Sequence, residues 1–177
     1  MAPSDRERFE HLVLPHLDDA YALAHYLLHD GHDAQDVVHD AVLRALRHFD
    51  TYRNGDARAW LLSIVRNCCH SWREQHRHTV AGRTAIHTDV ERSPELPDPA
   101  MADQHAIQSS ERDRLHRALA TLPDEFREVI VLRELQELSY NQISIITGVP
   151  AGTVMSRLAR ARKRLASALE LPVSEEG

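Results

Sequence analysis

The side chains best suited to chemistry lie near the C-terminus. Ser139-Tyr140-Asn141-Gln142-Ile143 leads to Gly148-Val149-Pro150, then to Gly152-Thr153-Val154-Met155-Ser156-Arg157, with Arg160, Arg162, Lys163 and Arg164 beyond. Hydroxyls and cations at these intervals suit phosphate oxygens and base edges rather than bond-making chemistry. The chain has no phosphate-cradling glycine loop, nucleophile triad or paired-carboxylate constellation, so no catalytic residue is expected. Converging such groups requires two short helices and a sharp turn. Ser139 can cap the first helix, in which Ile143 and Ile146 share a face. Gly148 supplies a left-handed residue and Pro150 suits a new helix start. Val154, Leu158, Ala161 and Leu165 then form one buried stripe, leaving Ser156, Arg157, Arg160, Lys163 and Arg164 outside it. A cationic outer face on the second helix of a helix-turn-helix fits a DNA major groove.

A second constellation interleaves aromatics with polar and cationic groups. It comprises Tyr52, Arg53 and Asn54, then Trp60, Arg66, Asn67, His70, Trp72 and Arg73. Aromatic faces stack unpaired bases while arginines hold phosphates, although the same tryptophans also serve as ordinary core packers. Helices must position this set, because residues 9–80 show no strand-like alternation. One is expected over Phe9–His29. Another is expected to be capped by Asp33, burying Val37, Val38, Ala41, Val42, Ala45, Leu46 and Phe49 and leaving Asp36, His39, Asp40, Arg44 and Arg47 outside. After a polar loop at 50–57, a third is marked by Trp60, Leu61, Ile64, Val65 and Trp72.

The net charge of −6 argues against a nucleic-acid partner until it is divided along the chain. Residues 1–50, 51–83, 84–110 and 111–177 carry −6, +4, −4 and 0, so basic patches sit in an acidic background and local fields decide where phosphates dock. Weak binding of the free protein to random duplex is expected. No apolar run is long enough to span a bilayer, and Met1–Glu10 is too charged for a signal peptide, so a cytoplasmic protein without membrane contact is expected. Cys68 and Cys69 are neighbours, unsuited to stapling a fold, and read as helix packers. Thirteen histidines include His25, His29 and His32 at spacings of four and three, a geometry that could hold a metal. No His-Glu-x-x-His pattern accompanies them, and the expectation is a solvated face with neither metal nor cofactor. Between about Thr84 and Gln108, Pro94, Pro97 and Pro99 interrupt all periodicity, as in a linker.

The run Asp33-Ala34-Gln35-Asp36-Val37-Val38-His39-Asp40-Ala41, the later Trp60, Leu61, Ile64, Arg66 and Asn67, and the stretch from Leu122-Pro123 and Phe126-Arg127 to Arg162 resemble bacterial RNA polymerase sigma factors of the extracytoplasmic-function group. The resemblance covers about residues 9–80 and 112–168. It implies an all-α fold of two small helical domains joined by a flexible linker. Residues 1–83 would be an N-terminal helical bundle (sigma region 2), 84–110 the linker, 111–171 a helix-turn-helix domain (sigma region 4) and 172–177 a tail. No extra N-terminal acidic region and no appended sensory domain are expected.

The resemblance also implies a non-enzymatic, monomeric initiation factor. Its expected partners are core RNA polymerase (clamp helices of the largest subunit and the flap of the second-largest), promoter DNA and an anti-sigma protein. Asp36, His39, Asp40 and Arg44 would dock on the polymerase. Where most relatives carry glutamine this chain has His39, which can gain a proton, so docking is expected to weaken in acid; unchanged polymerase affinity between mildly acidic and neutral pH would refute this. Tyr52, Arg53 and Asn54 would form a pocket for an everted base of the −10 element, with Arg66, Asn67, His70, Ser71 and Arg73 on the strand. Ser156, Arg157 and Arg160 would read the −35 duplex, with Ser139, Thr153 and Arg164 on its phosphates. A polymerase-independent, dimeric helix-turn-helix regulator would account for residues 112–168 equally well, but leaves the pattern over 33–73 without a purpose.

Overall fold

The computed structural model describes residues 4–77 and 99–170, which are helical with no strand among them. The N-terminal module contains α1 (Asp5–Val13), a 3-10 turn (Leu14–His16), α2 (Leu17–Leu28), α3 (Gly31–Arg47), a second 3-10 turn (Phe49–Thr51) and α4 (Ala57–Arg77). The helix expected over Phe9–His29 is broken, because Pro15 lacks an N–H and the chain tightens around it. The cap of α3 is Asp30, not Asp33: Asp30 is extended and its carboxylate accepts from the N–H groups of His32 (2.8 Å) and Asp33 (3.0 Å). Asp33 lies one turn inside, where burial and then the Asp30 charge push its carboxyl up.

His29 ends α2 in the left-handed region, with φ 61°. His32 therefore belongs to α3, and the single-helix spacing that the metal reading requires does not exist. Leu23 and Leu27 of α2, Ala34, Val37, Ala41 and Ala45 of α3, and Leu61, Leu62 and Val65 of α4 form the core. Alanines along the inner stripe of α3 leave room for α4 to pack closely. Leu46 departs from its expected burial and is 45% exposed, because Ala45 already occupies the inward position on that turn. Cys68 and Cys69 are free and buried, and burial pushes the Cys69 thiol up to about 12, which leaves both as packers.

The C-terminal module contains α5 (Pro99–Ala120), α6 (Asp124–Ile130) continuing into a π-helical turn (Val131–Leu135), α7 (Tyr140–Thr147) and α8 (Ala151–Glu170). Helix α5 begins at Pro99, inside the expected linker 84–110; proline suits a first helical turn, and Ala100, Met101 and Ala102 favour continuing it. Residues 84–98 and 171–177 lie outside the described residues. Gly148, the C-cap of α7, has φ 73° with open space around it, so alanine there meets backbone strain and no clash. Gly148→Ala is expected to destabilise this module by about 1 kcal/mol in urea denaturation, with the transition remaining cooperative.

The two modules pack together: α4 lies against α7, and α2 reaches α5, α6 and the π-helical turn. This seam was not anticipated from the chain's periodicity.

Candidate nucleic-acid interface

The helix-turn-helix forms as its caps require. The Ser139 N–H donates to Gln142 Oε1 (2.8 Å) while the Gln142 N–H donates to Ser139 Oγ (3.1 Å), a reciprocal capping box. Val154, Leu158 and Ala161 are buried, Leu165 is partly so, and Thr153 is half-buried. The outer face of α8 is narrower than expected. Arg157 is 24% exposed and lies 3.7 Å from Glu125, and Arg164 stacks its guanidinium over Phe126 at 5.0 Å. Both arginines thus fold back onto α6 instead of standing free. Arg162 donates to Glu134 at 2.7 Å. Ser156, Arg160 and Lys163 remain exposed, flanked by Met155, which is 51% exposed.

At the other module, the loop after α3 folds back on itself. Tyr52 stacks on Phe49 (5.6 Å, 13°) and tilts against Trp60 (5.3 Å), and its hydroxyl donates to the Gly55 carbonyl. Tyr52 and Trp60 therefore serve as packers and also wall a cavity of about 340 Å³ bordered by Arg53 and Ser63, with Ile145 of α7 at its rim. Arg53 and Asn54 are exposed, and Asn54 has a left-handed φ of 46°. Asp56 starts α4 by accepting from the Ala59 N–H (3.0 Å), and Gln142 of α7 donates to its other oxygen.

Asp36, His39, Asp40 and Arg44 are all exposed on α3, where Arg44 and Asp40 pair at 2.9 Å. Leu43 and Leu46 are exposed beside them, which adds an apolar component absent from the sequence reading.

Along α4, Asn67 and Ser71 are exposed, whereas the cations expected to hold a strand are already engaged. Arg66 forks onto Glu128, donating from Nε (2.9 Å) and from its second terminal nitrogen (3.0 Å), and His70 Nε2 lies 3.1 Å from the same carboxylate. Arg73 donates to Asp124 at 2.5 Å. Arg58 donates to Asp19 (2.6 Å) and to the Gln136 carbonyl (2.8 Å). Burial alone would push the Glu128 carboxyl up, but the His70 and Arg66 hydrogen bonds outweigh it and hold it below the ordinary carboxylate range.

Glu128, Asp124, Gln136 and Arg58 are the residues that sequence reasoning missed. A charge at Glu128 beside the apolar run Val129–Leu132 was the available signal. A histidine cluster borders the seam: the His116 ring of α5 stacks on Tyr26 (4.3 Å) and lies 4.5 Å from His25 and 6.4 Å from His29.

Residues 12–79 match the family model "Sigma-70 region 2" and residues 112–165 match "Sigma-70, region 4". The chain is 33% identical over 168 residues to the ECF RNA polymerase sigma factor SigE of Mycolicibacterium smegmatis, covering 94% of this chain and 63% of that protein, just under two thirds of its length. It is 30% identical to the RNA polymerase sigma-H factor of Pseudomonas aeruginosa, over 94% of this chain and 88% of that one. Among solved structures it is similar to the sigma factor RpoE in complex with the anti-sigma factor NepR from Bartonella quintana, with a TM-score of 0.69 and 28% identity over 93% of this chain and 98% of that one. It is also similar to CnrH in complex with the cytosolic domain of CnrY, with a TM-score of 0.63 and 25% identity over 92% and 87%.

Proposed function

The chain belongs to the extracytoplasmic-function group of sigma-70 factors, which are initiation factors and not enzymes, and we propose that it carries core RNA polymerase to promoters by reading a −35 duplex with α8 and a melted −10 strand with α4 and the preceding loop. One observation carries this reading: a capped helix-turn-helix with an exposed basic face shares its chain with a base-sized cavity walled by Tyr52 and Trp60. A stand-alone helix-turn-helix regulator would have no use for the second.

In this reading Asp36, His39, Asp40 and Arg44 contact the clamp helices of the largest subunit, the helix-turn-helix module meets the flap of the second-largest, and the factor acts as a monomer. Arg53 at the cavity and Asn54 on the adjoining turn face an everted base, which selects sequence because a wrong base leaves polar groups of the filled pocket unpaired. Arg66, Asn67, His70, Ser71 and Arg73 track the strand. Ser156 and Arg160 read base edges, joined by Arg157 once it leaves Glu125, while Ser139, Thr153 and Arg164 hold phosphates. Melting is then driven by capture of the open strand, without nucleotide hydrolysis. An anti-sigma protein holds the factor until it is needed; both structural relatives above are complexes, one with an anti-sigma factor and one with a cytosolic protein domain.

Arg160→Ala tests the −35 assignment. A lost base contact should remove about 1–3 kcal/mol of discrimination, so initiation should fall at one promoter class and spare others. Equal loss on all promoters would make Arg160 a phosphate contact. Co-elution with core polymerase tests the docking, and a chain that never co-elutes would favour the free-standing regulator.

A further inference from the structure

The seam has a property that ordinary packing does not require. Glu128 sits on α6 with its side chain only 2% exposed, and the partners its carboxylate meets, Arg66 and His70, both belong to the other module. A carboxylate withdrawn from water is costly unless cations meet it, and here those cations come from across the seam. Asp124, one turn earlier, faces Arg73 across the seam while also pairing with Arg127 of its own helix. The same helix of the C-terminal module is followed by α7, whose Gln142 binds Asp56 and whose Ile145 stands at the rim of the Tyr52–Trp60 cavity. Acidic groups and a helix thus occupy the strand-binding cations and the mouth of the base cavity together.

We propose that Glu128 and Asp124 act as an internal substitute for strand phosphates, so that the free chain holds itself shut and single-stranded DNA must displace its own C-terminal module. This rests on the assignment of Arg66, His70 and Arg73 to the −10 strand. Phosphate and carboxylate present the same acceptor geometry to an arginine fork, and one guanidinium cannot serve both fully. The device resides in the chain itself and operates before any inhibitor binds. It also supplies a physical cause for weak DNA binding by the isolated factor.

The test uses the full chain labelled with a fluorophore pair on exposed positions of α3 and α8, with fluorescein-labelled oligothymidylate as the probe. Glu128→Gln keeps the shape and removes the charge. It should lengthen the separation between the labels and tighten oligothymidylate binding by about tenfold, the effect of losing one charge-assisted fork. In the wild-type chain, raising salt without DNA should lengthen the same separation by screening the part-exposed Arg73–Asp124 pair, a measurement independent of how well the variant folds. Separations unchanged both in the variant and across the salt series would overturn the proposal, as would an opened variant that binds oligothymidylate no better. Initiation by wild-type protein with core polymerase is measured alongside. If it is active while the seam fails these tests, the internal latch falls and the initiation function stands; if it is inactive, the underlying reading falls.

Discussion

Arg127→Met is expected to cost the C-terminal module about 3 kcal/mol or more, the largest loss anticipated for a single polar side chain here. Arg127 is buried, and it donates to the carbonyls of Leu119 (2.8 Å), Ala120 (3.0 Å) and Leu122 (2.7 Å) while also reaching Asp124 (3.3 Å). The Leu119 and Ala120 carbonyls end α5 and the Leu122 carbonyl lies in the turn that follows, where helix acceptors run short of backbone N–H partners. One planar fork satisfies three of them and fixes the angle between α5 and α6. Methionine fills much of the volume but donates nothing, so the acceptors must be hydrated or left unpaired. Lysine should rescue only partly, since a single ammonium cannot span the three positions. Urea denaturation of wild type and variant checks this, and a loss below about 1 kcal/mol would show that water replaces the guanidinium readily.

Acid is expected to open the seam. Loss of water around its ring, then Arg127, His116 and Arg73, push His29 down to about 4, against an opposing pull from Asp124. His25 and His116 are lowered as well, each mainly by burial; the His25 charge lowers His116 further, while Asp30 opposes the shift at His25 and Asp113 that at His116. A group whose protonated form is disfavoured in the closed chain supports closure while neutral. That support is complete above the ordinary histidine value of 6.5 and is withdrawn as pH falls toward about 4. Glu128 acts in the same direction at lower pH: its carboxyl, held below the ordinary carboxylate range by the seam contacts, supports closure until it is protonated. With three histidines lowered in the closed chain, the separation between labels on α3 and α8 should grow between neutral pH and pH 5. His29→Asn combined with His116→Asn should flatten the response. Closure that tightens in acid would contradict the assignment.

What could be read from the chain were features fixed by local chemistry. The Ser139 cap, the left-handed Gly148 and the Val154–Leu158–Ala161 stripe are set by residues within one or two turns, and each has the expected form. The α3 cap was misplaced by one turn, because Asp30 and Asp33 offer the same side chain and only the break at His29 decides between them. The loop aromatics were legible as types but not as a cavity, whose wall includes Ile145 from 82 residues or more further along the chain. The seam was illegible for the same reason: Arg66 to Glu128 is a separation of 62 residues, and no periodicity reports it. Arg157 and Arg164 were read as outward because spacing places them off the buried stripe, yet long side chains on a helix flank can bend to a neighbouring acid or ring.

The most direct measurement of the central claim is transcription in vitro by core polymerase with the purified chain across a randomised promoter library. The account predicts RNA synthesis starting at templates that share one −35 and one −10 sequence, with the −35 preference altered by Arg160→Ala. Core polymerase that starts no transcript at any template with the chain present, or starts without regard to sequence, would contradict it.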